Sequence, residues 1–123
     1  MLVLKQLTKT YAKTKQPAVN NLDLHVKTGE IFGFIGPNGA GKTTAIKMIT
    51  GILTPDHGQI SINGHDMQTD PIAAKMSLGY VPDTQELYDR LTGLEYLNFI
   101  GDMYKVPANI KKQNIEKYLH LFD

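Results

Sequence analysis

The amino-acid sequence predicts an α/β fold in which strands lead through a glycine-rich loop into helices. Leu22, Leu24 and Val26 alternate with polar residues, which is the period of a half-buried strand. Residues 31–35 instead form an apolar run broken only by Gly33, as in a strand buried on both faces of a parallel sheet. A glycine-rich stretch and then apolar residues at helical intervals follow. These features together predict a strand, a loop and a helix in that order.

Turn residues and alternating patterns predict the remaining sheet. We expect antiparallel sheet over residues 2–27, where apolar and polar residues alternate. The dipeptide Asn63-Gly64 favours a tight hairpin after two alternating isoleucines. A further strand is expected over residues 77–81, and Pro82 should end it.

Capping residues predict where the helices begin and end. The first helix is expected to start near Lys42 and to stop at Gly51, which can adopt a left-handed cap. Thr92 and Glu95 have the spacing of a capping box, which predicts a helix that continues to about Tyr104. Helical spacing recurs at the C-terminal end, where no capping residue follows, so we expect the sequence to end inside or at the edge of a helix.

Composition and charge exclude several classes of protein. The net charge is +1 and the basic residues are spread along the 123 positions, so electrostatics favour neither nucleic acid nor a membrane surface. The absence of cysteine excludes disulfides and thiolate metal sites, and the four histidines lack metal-site spacing. No uncharged apolar run reaches the roughly 18 residues of a membrane span, and the N-terminus lacks the apolar core of a signal peptide. We expect one soluble domain.

The strongest motif lies between the predicted buried strand and the first helix. Residues 36–43 match the pattern G-x-x-x-x-G-K-[ST] in full. The three glycines allow successive amide N–H groups to turn inward, and the dipole of the following helix adds positive potential. Lys42 can then reach the outer phosphates of a nucleotide, and Thr43 offers a hydroxyl to Mg²⁺. The structural alternative, a turn that only caps a helix, has no use for this lysine and threonine.

The residues around this loop resemble one family of ATPases. Residues 29–44, which include Gly-Pro-Asn-Gly-Ala-Gly-Lys-Thr-Thr, closely resemble the Walker A region of ATP-binding cassette (ABC) transporter ATPases. The resemblance implies a P-loop NTPase-like fold, here an incomplete ABC ATPase core with an N-terminal antiparallel β subdomain and the start of the helical subdomain. It divides this part of the nucleotide-binding domain into an ATP-binding core part over residues 1–86 and a helical part over residues 87–123.

The resemblance also implies ATP and Mg²⁺ as cofactors and assigns residues to them. Tyr11 would stack on adenine, because a flat aromatic ring can cover the base, although an ordinary core or surface tyrosine is the alternative. Lys42 would be catalytic, and Thr43 would bind the metal. The expected nucleotide-binding residues are Tyr11, Val19, Gly36, Asn38, Gly39, Ala40, Gly41, Lys42, Thr43 and Thr44.

A second metal ligand is expected at Asp83, where residues 77–83 resemble the entry to the family's Q-loop. The family commonly has glutamine there, whereas aspartate is shorter and anionic. It would either ligate Mg²⁺ directly or be repelled by the phosphates. A turn carboxylate beside Pro82 is the structural alternative. Family members that resemble type 2 exporters often carry an acidic residue here, which makes exporters the nearest likeness.

The resemblance implies two protein partners and a location. A transmembrane permease subunit would contact the region from Asp83 to Tyr104, although leucines and aromatic residues at such spacing are more often core. A second nucleotide-binding domain would complete a homodimer or heterodimer. No nucleic-acid partner is expected, and the protein would be cytoplasmic, peripheral at the inner face of the cell membrane through the permease.

Several family motifs are not found in these 123 residues. There is no Leu-Ser-Gly-Gly-Gln-like signature, no apolar run ending in Asp-Glu, and no later histidine switch. Since these parts perform hydrolysis, we expect MgATP binding with very slow turnover, from a parent protein that powers an ABC transporter, an exporter by its nearest likeness. Two alternatives are a non-catalytic nucleotide-binding fragment and a soluble ABC ATPase not tied to transport. Unpaired apolar strand edges predict self-association.

Overall fold

Two units divide the chain, Met1–Tyr80 and Val81–Asp123, in a computed structural model that describes residues 1–82 and 90–122. The first unit contains a four-stranded sheet with the order β2-β1-β3-β4, in which all neighbouring strands are antiparallel. Its strands are β1 (Leu2–Lys9), β2 (Val19–Val26), β3 (His57–Ile62) and β4 (His65–Asp66). Its helices are α1 (Lys42–Ile49) and α2 (Pro71–Met76).

The core of this unit forms where α1 packs against the sheet. Leu4 and Leu7 of β1 and Met48 of α1 have almost no exposed surface. They share one cluster with further apolar residues from β2, β3, α1 and α2, namely Val19, Ala45, Ile49, Ile60, Ile62 and Ala74. Because the apolar side chains of α1 repeat at helical spacing, they hold the first turn of that helix in a fixed position over the sheet.

A bulge in β1 limits which residue can occupy position 58, the second residue of β3. The pairing of β1 shifts register on both of its edges near Gln6, whose φ is 49°. Gly58 faces this bulge with a φ of 95°, and a Cβ there would lie 2.5 Å from the carbonyl oxygens of Lys5 and Gln6. Only glycine fits this position without displacing backbone.

Several sequence-based predictions for this unit are confirmed. Antiparallel strands occupy most of residues 2–27, and Asn63 and Gly64 connect β3 to β4 with φ values of 51° and 88°. Positive φ at both central residues is the geometry of a type I′ hairpin. Helix α1 begins at Lys42, and Gly51 follows it with a φ of 69°.

Two predicted strands are wrong. Residues 31–35 are not in a sheet, and Ile31 and Ile35 are 100% and 96% exposed rather than buried on both faces. Residues 77–81 are likewise irregular. A strand buried on both faces needs parallel neighbours, and no strand among the described residues pairs with either segment.

The sequence interpretation also missed α2, although its start signal is present. Asp70 caps this helix by accepting a hydrogen bond from the Ala73 N–H, and Pro71 occupies the first position. Proline is favoured there because its missing N–H would have no partner in the helix anyway. A helix this short has too few turns to show a periodic pattern.

The second unit is a pair of helices, α3 (Gly93–Met103) and α4 (Ala108–Phe122), and both predicted helices are confirmed. The capping box is present: Thr92 accepts from the Glu95 N–H while the Glu95 carboxylate accepts from the Thr92 N–H. The Thr92 N–H and the Thr92 hydroxyl both donate to the Glu95 carboxylate and lower its pKa. The Lys111 ammonium joins the helices by donating to Asp102 at 2.6 Å. No helix in the described ranges is long and apolar enough to cross a membrane.

Candidate functional site

The glycine-rich loop before α1 depends on its glycines for shape and for space. Gly39 and Gly41 have φ values of 82° and 86°, which side-chain-bearing residues rarely adopt. Gly41 is the N-cap of α1, and a Cβ there would lie 2.1 Å from the carbonyl oxygen of Ala18. Glycine therefore lets the loop approach the start of β2 closely.

The loop presents backbone rather than side chains to an incoming group. Gly36, Gly39 and Gly41 have no side chain, and a Cβ at Gly36 would lie at ordinary van der Waals distance from the Ala40 Cβ, 3.5 Å, and from the Lys42 Cδ, 4.0 Å. The first turn of α1 also offers N–H groups that have no partner inside the helix. These donors and the positive end of the helix dipole make the loop suitable for phosphate oxygens.

The side chain of Lys42 folds back toward the loop, so its ammonium lies beside the loop backbone. Its ammonium donates to the carbonyl oxygens of Gly36 and Pro37, the latter at 2.7 Å. The charge of this half-buried lysine thus lies beside the loop backbone. An anion bound by the loop would be within the reach of this ammonium.

The two threonines after Lys42 have different surroundings. Thr43 is exposed at the first turn of α1, where its hydroxyl is accessible to a ligand. Thr44 is buried at 8% exposure, and its hydroxyl shares a hydrogen bond with the Tyr11 hydroxyl at 3.3 Å. The structure therefore joins Tyr11 to the phosphate loop, a contact that the sequence did not predict.

Tyr11 lies in a closed connection between β1 and β2. The Ala18 N–H donates to the Lys9 carbonyl at 2.8 Å, and the Thr14 hydroxyl donates to the Tyr11 carbonyl at 3.0 Å. Tyr11 is 41% exposed and lines a shallow depression of about 530 Å³. The depression is lined by Tyr11, Thr14, Lys15, Gln16, Pro17, Ala18 and Gly39. An aromatic ring and the glycine-rich loop therefore border the same space.

Asp56 supports this arrangement and was not singled out from the sequence. Its carboxylate accepts from the Lys9 ammonium at 2.7 Å and from the Thr10 N–H at 2.8 Å. These two bonds lower the pKa of Asp56. Because Thr10 directly precedes Tyr11, the carboxylate fixes the chain where the tyrosine leaves β1. Lysine and aspartate 47 positions apart carry no local signal that would reveal the pair.

The remaining residues expected at the site lie in different places. Asn38 and Ala40 are exposed on the loop, while Val19 is buried at 8% exposure below Gly41. Asp83 lies outside the described residues, so its predicted metal contact stays a prediction. Among the described residues, no three His, Asp or Glu side chains cluster as metal ligands. Thr43 is therefore the expected metal ligand that the structure places at the loop.

Comparison with protein families and curated sequences places these features in context. The family model described as ABC transporter matches residues 19–123. ATP-binding cassette sub-family A member 7 of Rattus norvegicus is 42% identical over 107 residues, which are 87% of this chain and 5% of that protein. The glycine betaine/carnitine/choline transport ATP-binding protein OpuCA of Bacillus subtilis is 36% identical over 124 residues, which are 100% of this chain and 32% of that protein. The chain thus spans less than a third of the length of either relative.

Solved structures show the same likeness. A structure described as the ATP-binding subunit of an ABC transporter matches with a TM-score of 0.82 and 35% identity, over 89% of this chain and 45% of that one. A dimeric ATP-binding cassette in a post-hydrolysis state, bound to ADP and Pi, matches with a TM-score of 0.78 and 27% identity. That match covers 94% of this chain and 55% of the other.

Proposed function

Because this chain belongs to the ABC transporter family, in its ATP-binding domain, we propose that it binds MgATP through the loop over residues 36–44. The observation that supports this most directly is the loop itself, in which glycine backbone, the start of α1 and the Lys42 ammonium come together. The family and the fold class expected from the sequence are confirmed.

Each part of the loop has a role in the proposed binding. The backbone N–H groups around Gly39 and Gly41 donate to phosphate oxygens, and the helix dipole favours their negative charge. Lys42 shifts from donating only to carbonyls to donating also to the outer phosphates, which makes it the proposed catalytic lysine. Tyr11 covers the base, and Gly36, Asn38, Ala40 and Thr44 complete the loop.

Mg²⁺ suits this site because oxygen ligands and phosphates are what it binds in proteins. We place Thr43 as the protein's hydroxyl ligand and retain Asp83 as a second candidate. When bound, the ion neutralises phosphate charge. Val19 contributes from below, because its buried side chain supports Gly41.

Calorimetric titration with MgATP tests the proposal. Lys42→Ala should lower affinity at least tenfold, because hydrogen bonds to charged groups contribute about 1.5–3 kcal/mol. Thr43→Ala should weaken binding only when Mg²⁺ is present. Lys47→Ala is the matched control, since Lys47 is exposed on the same helix but away from the loop. Full affinity in both Lys42→Ala and Thr43→Ala would overturn the assignment.

We further propose that ATP turnover by these 123 residues is very slow. Phosphoryl transfer depends on positioning of the attacking water and on charge stabilisation, and the motifs that supply them in the family are not in this sequence. Phosphate release should therefore equal that of Lys42→Ala. Steady hydrolysis clearly above this control would contradict the proposal while leaving MgATP binding intact.

The wider role that we propose belongs to the parent protein, as the ATP-hydrolysing subunit that powers an ABC transporter, and export is the favoured direction. The proposed permease contact is the region from Asp83 to Tyr104, where α3 exposes Leu94, Leu97 and Phe99. A second cassette would pair with this one at the cytoplasmic face of the membrane. Among the relatives, a probable multidrug ABC transporter ATP-binding protein, YbhF of Escherichia coli, is 36% identical over 97% of this chain and 21% of its own length. Co-purification of a permease with the full-length protein tests this role.

A further inference from the structure

A separate concavity lies at the end of α1 opposite to the phosphate loop. Helix α1 has 8 residues, so the two ends lie about 12 Å apart. The concavity has a volume of about 330 Å³, which falls at the lower end of the range for small-molecule sites. Its walls come from the end of α1 and the segment that follows it, from β3, from the residues after β4, and from α2. It shares no lining residue with the depression beside Tyr11.

The floor of this concavity is apolar and fixed. Met48 and Ile60 line it, and both belong to the buried core with exposures of 0% and 2%. Leu53 and Met67 form the sides and pack against the same core. Met67 at the side can adapt to the shape of a ligand because its chain is unbranched and its sulfur is polarisable. The surface therefore suits a small apolar group.

Lys75 is the cation among the described residues that line this concavity. The Lys75 side chain crosses Gly51 so closely that a Cβ there would lie 2.6 Å from its Cε. Its ammonium donates to the Gly51 carbonyl oxygen at 3.4 Å, which is a long and weak hydrogen bond. This acceptor is neutral, and among residues 1–82 and 90–122 no carboxylate forms an ion pair with the ammonium.

Among the described residues, the acidic side chains nearest to Lys75 in sequence, Asp70 and Asp66, are engaged elsewhere. The Asp66 carboxylate accepts from the N–H groups of Gln68 and Thr69, while Asp70 accepts from Ala73 N–H and contacts His65. A ligand anion at the rim would therefore find Lys75 available.

We propose that this concavity binds small amphiphilic carboxylates, with an aromatic or aliphatic body on the floor formed by Met48 and Ile60 and the carboxylate paired with Lys75. The volume of about 330 Å³ is large enough for one ring, since about 150 Å³ suffices for benzene, and the Lys75 ammonium favours a negatively charged group. This site is independent of the proposed nucleotide site, because it lies at the other end of α1.

Titration of the ¹⁵N-labelled chain with benzoate, followed by amide chemical shifts, tests the proposal. Benzamide and benzylammonium have the same ring with neutral and positive groups. Benzoate should shift the signals of Gly51, Leu53 and Met67 saturably and should bind about two- to fivefold more tightly than benzamide, as expected for a partly exposed ion pair. Benzylammonium should bind most weakly.

Two variants separate the site from nonspecific binding. Lys75→Met keeps the aliphatic stem but removes the charge, so benzoate and benzamide should become equal. Lys47→Met, on the exposed face of α1, should preserve the difference. Shifts that do not saturate, a benzoate preference that survives in Lys75→Met, or an equal loss in both variants would overturn the proposal.

Discussion

At the scale of single residues, the hydrogen bond between Tyr11 and Thr44 is the contact that joins the two halves of the candidate site. One partner follows β1 and the other lies in the first turn of α1. The bond therefore sets the position of an aromatic ring relative to the phosphate loop. The resemblance to ABC ATPases predicted both residues as nucleotide contacts but not their bond, because the pairing of two distant hydroxyls depends on how α1 packs against the sheet.

Substitution of Tyr11 should separate ring stacking from ring positioning. Tyr11→Ala removes the ring, and affinity for ATP should fall about tenfold, since base stacking contributes about 1–3 kcal/mol. Tyr11→Phe retains the ring and loses only the hydroxyl, so a fall of about threefold is expected. Inorganic pyrophosphate is the control ligand because it has no base, and calorimetry should give equal affinities for all three chains. Equal ATP affinity in Tyr11→Ala would contradict the stacking role.

A second residue-scale prediction concerns the glycine that faces the β1 bulge. Gly58→Ala should lower the free energy of unfolding by about 2 kcal/mol or more, because a positive φ alone costs about 1–2 kcal/mol and the new Cβ also meets two carbonyl oxygens. Gly64→Ala is the matched control: its φ is 88° but nothing lies within 4 Å of the new Cβ. Urea unfolding should show the larger loss for Gly58→Ala, and equal losses would mean that the contact with the bulge is unimportant.

At the scale of elements, the turn before β3 is tied to the end of β1 by a titratable group. Hydrogen bonds from Lys9 and Thr10 lower the pKa of Asp56 below its ordinary value of 3.8. The charged carboxylate therefore stabilises the folded chain at pH values above that ordinary pKa. This stabilisation is lost as the pH falls through the lowered pKa of the folded state.

Asp56→Asn should reveal this dependence in urea unfolding. The difference in unfolding free energy between the unaltered chain and Asp56→Asn should be largest near neutral pH and should shrink steadily below pH 3.8. Raising the salt concentration at neutral pH should also reduce it, because the pair with Lys9 is partly exposed. A difference that stays constant from neutral to acid pH would show that the carboxylate charge has no role.

The elements that were predicted correctly from the sequence are those that depend on interactions between neighbouring residues. Asn63-Gly64 requires a hairpin through its backbone preferences, and Thr92 with Glu95 starts a helix through bonds within one turn, so both predictions were correct. Residues 31–35 and 77–81 were predicted as strands from composition alone. A buried strand depends on neighbours remote in sequence, and the described residues supply none.

At the scale of the whole molecule, the site and the fold were predictable to different degrees. The glycine-rich motif lies in consecutive residues 36–44, so it could be recognised from the sequence, and the structure places it before and within the first turn of α1. Its binding of phosphate stays a prediction. The support that Asp56 gives to Tyr11 was not predicted from the sequence, since it depends on the pairing of β1 with the turn before β3. The domain boundary expected at residues 86 and 87 stays a prediction.

Exposed isoleucines next to the loop should control how this chain associates. Ile31 and Ile35 are 100% and 96% exposed, and such apolar surface favours contact with another copy. We expect concentration-dependent oligomers in size-exclusion chromatography with light scattering. Ile31→Lys with Ile35→Lys should shift the mass toward 13.7 kDa, the mass of the monomer. The control Ile72→Lys changes another isoleucine, 74% exposed on α2, and should leave the oligomers in place. If the unaltered chain elutes as a stable monomer at all concentrations, the prediction is contradicted, because the exposed isoleucines then do not cause self-association.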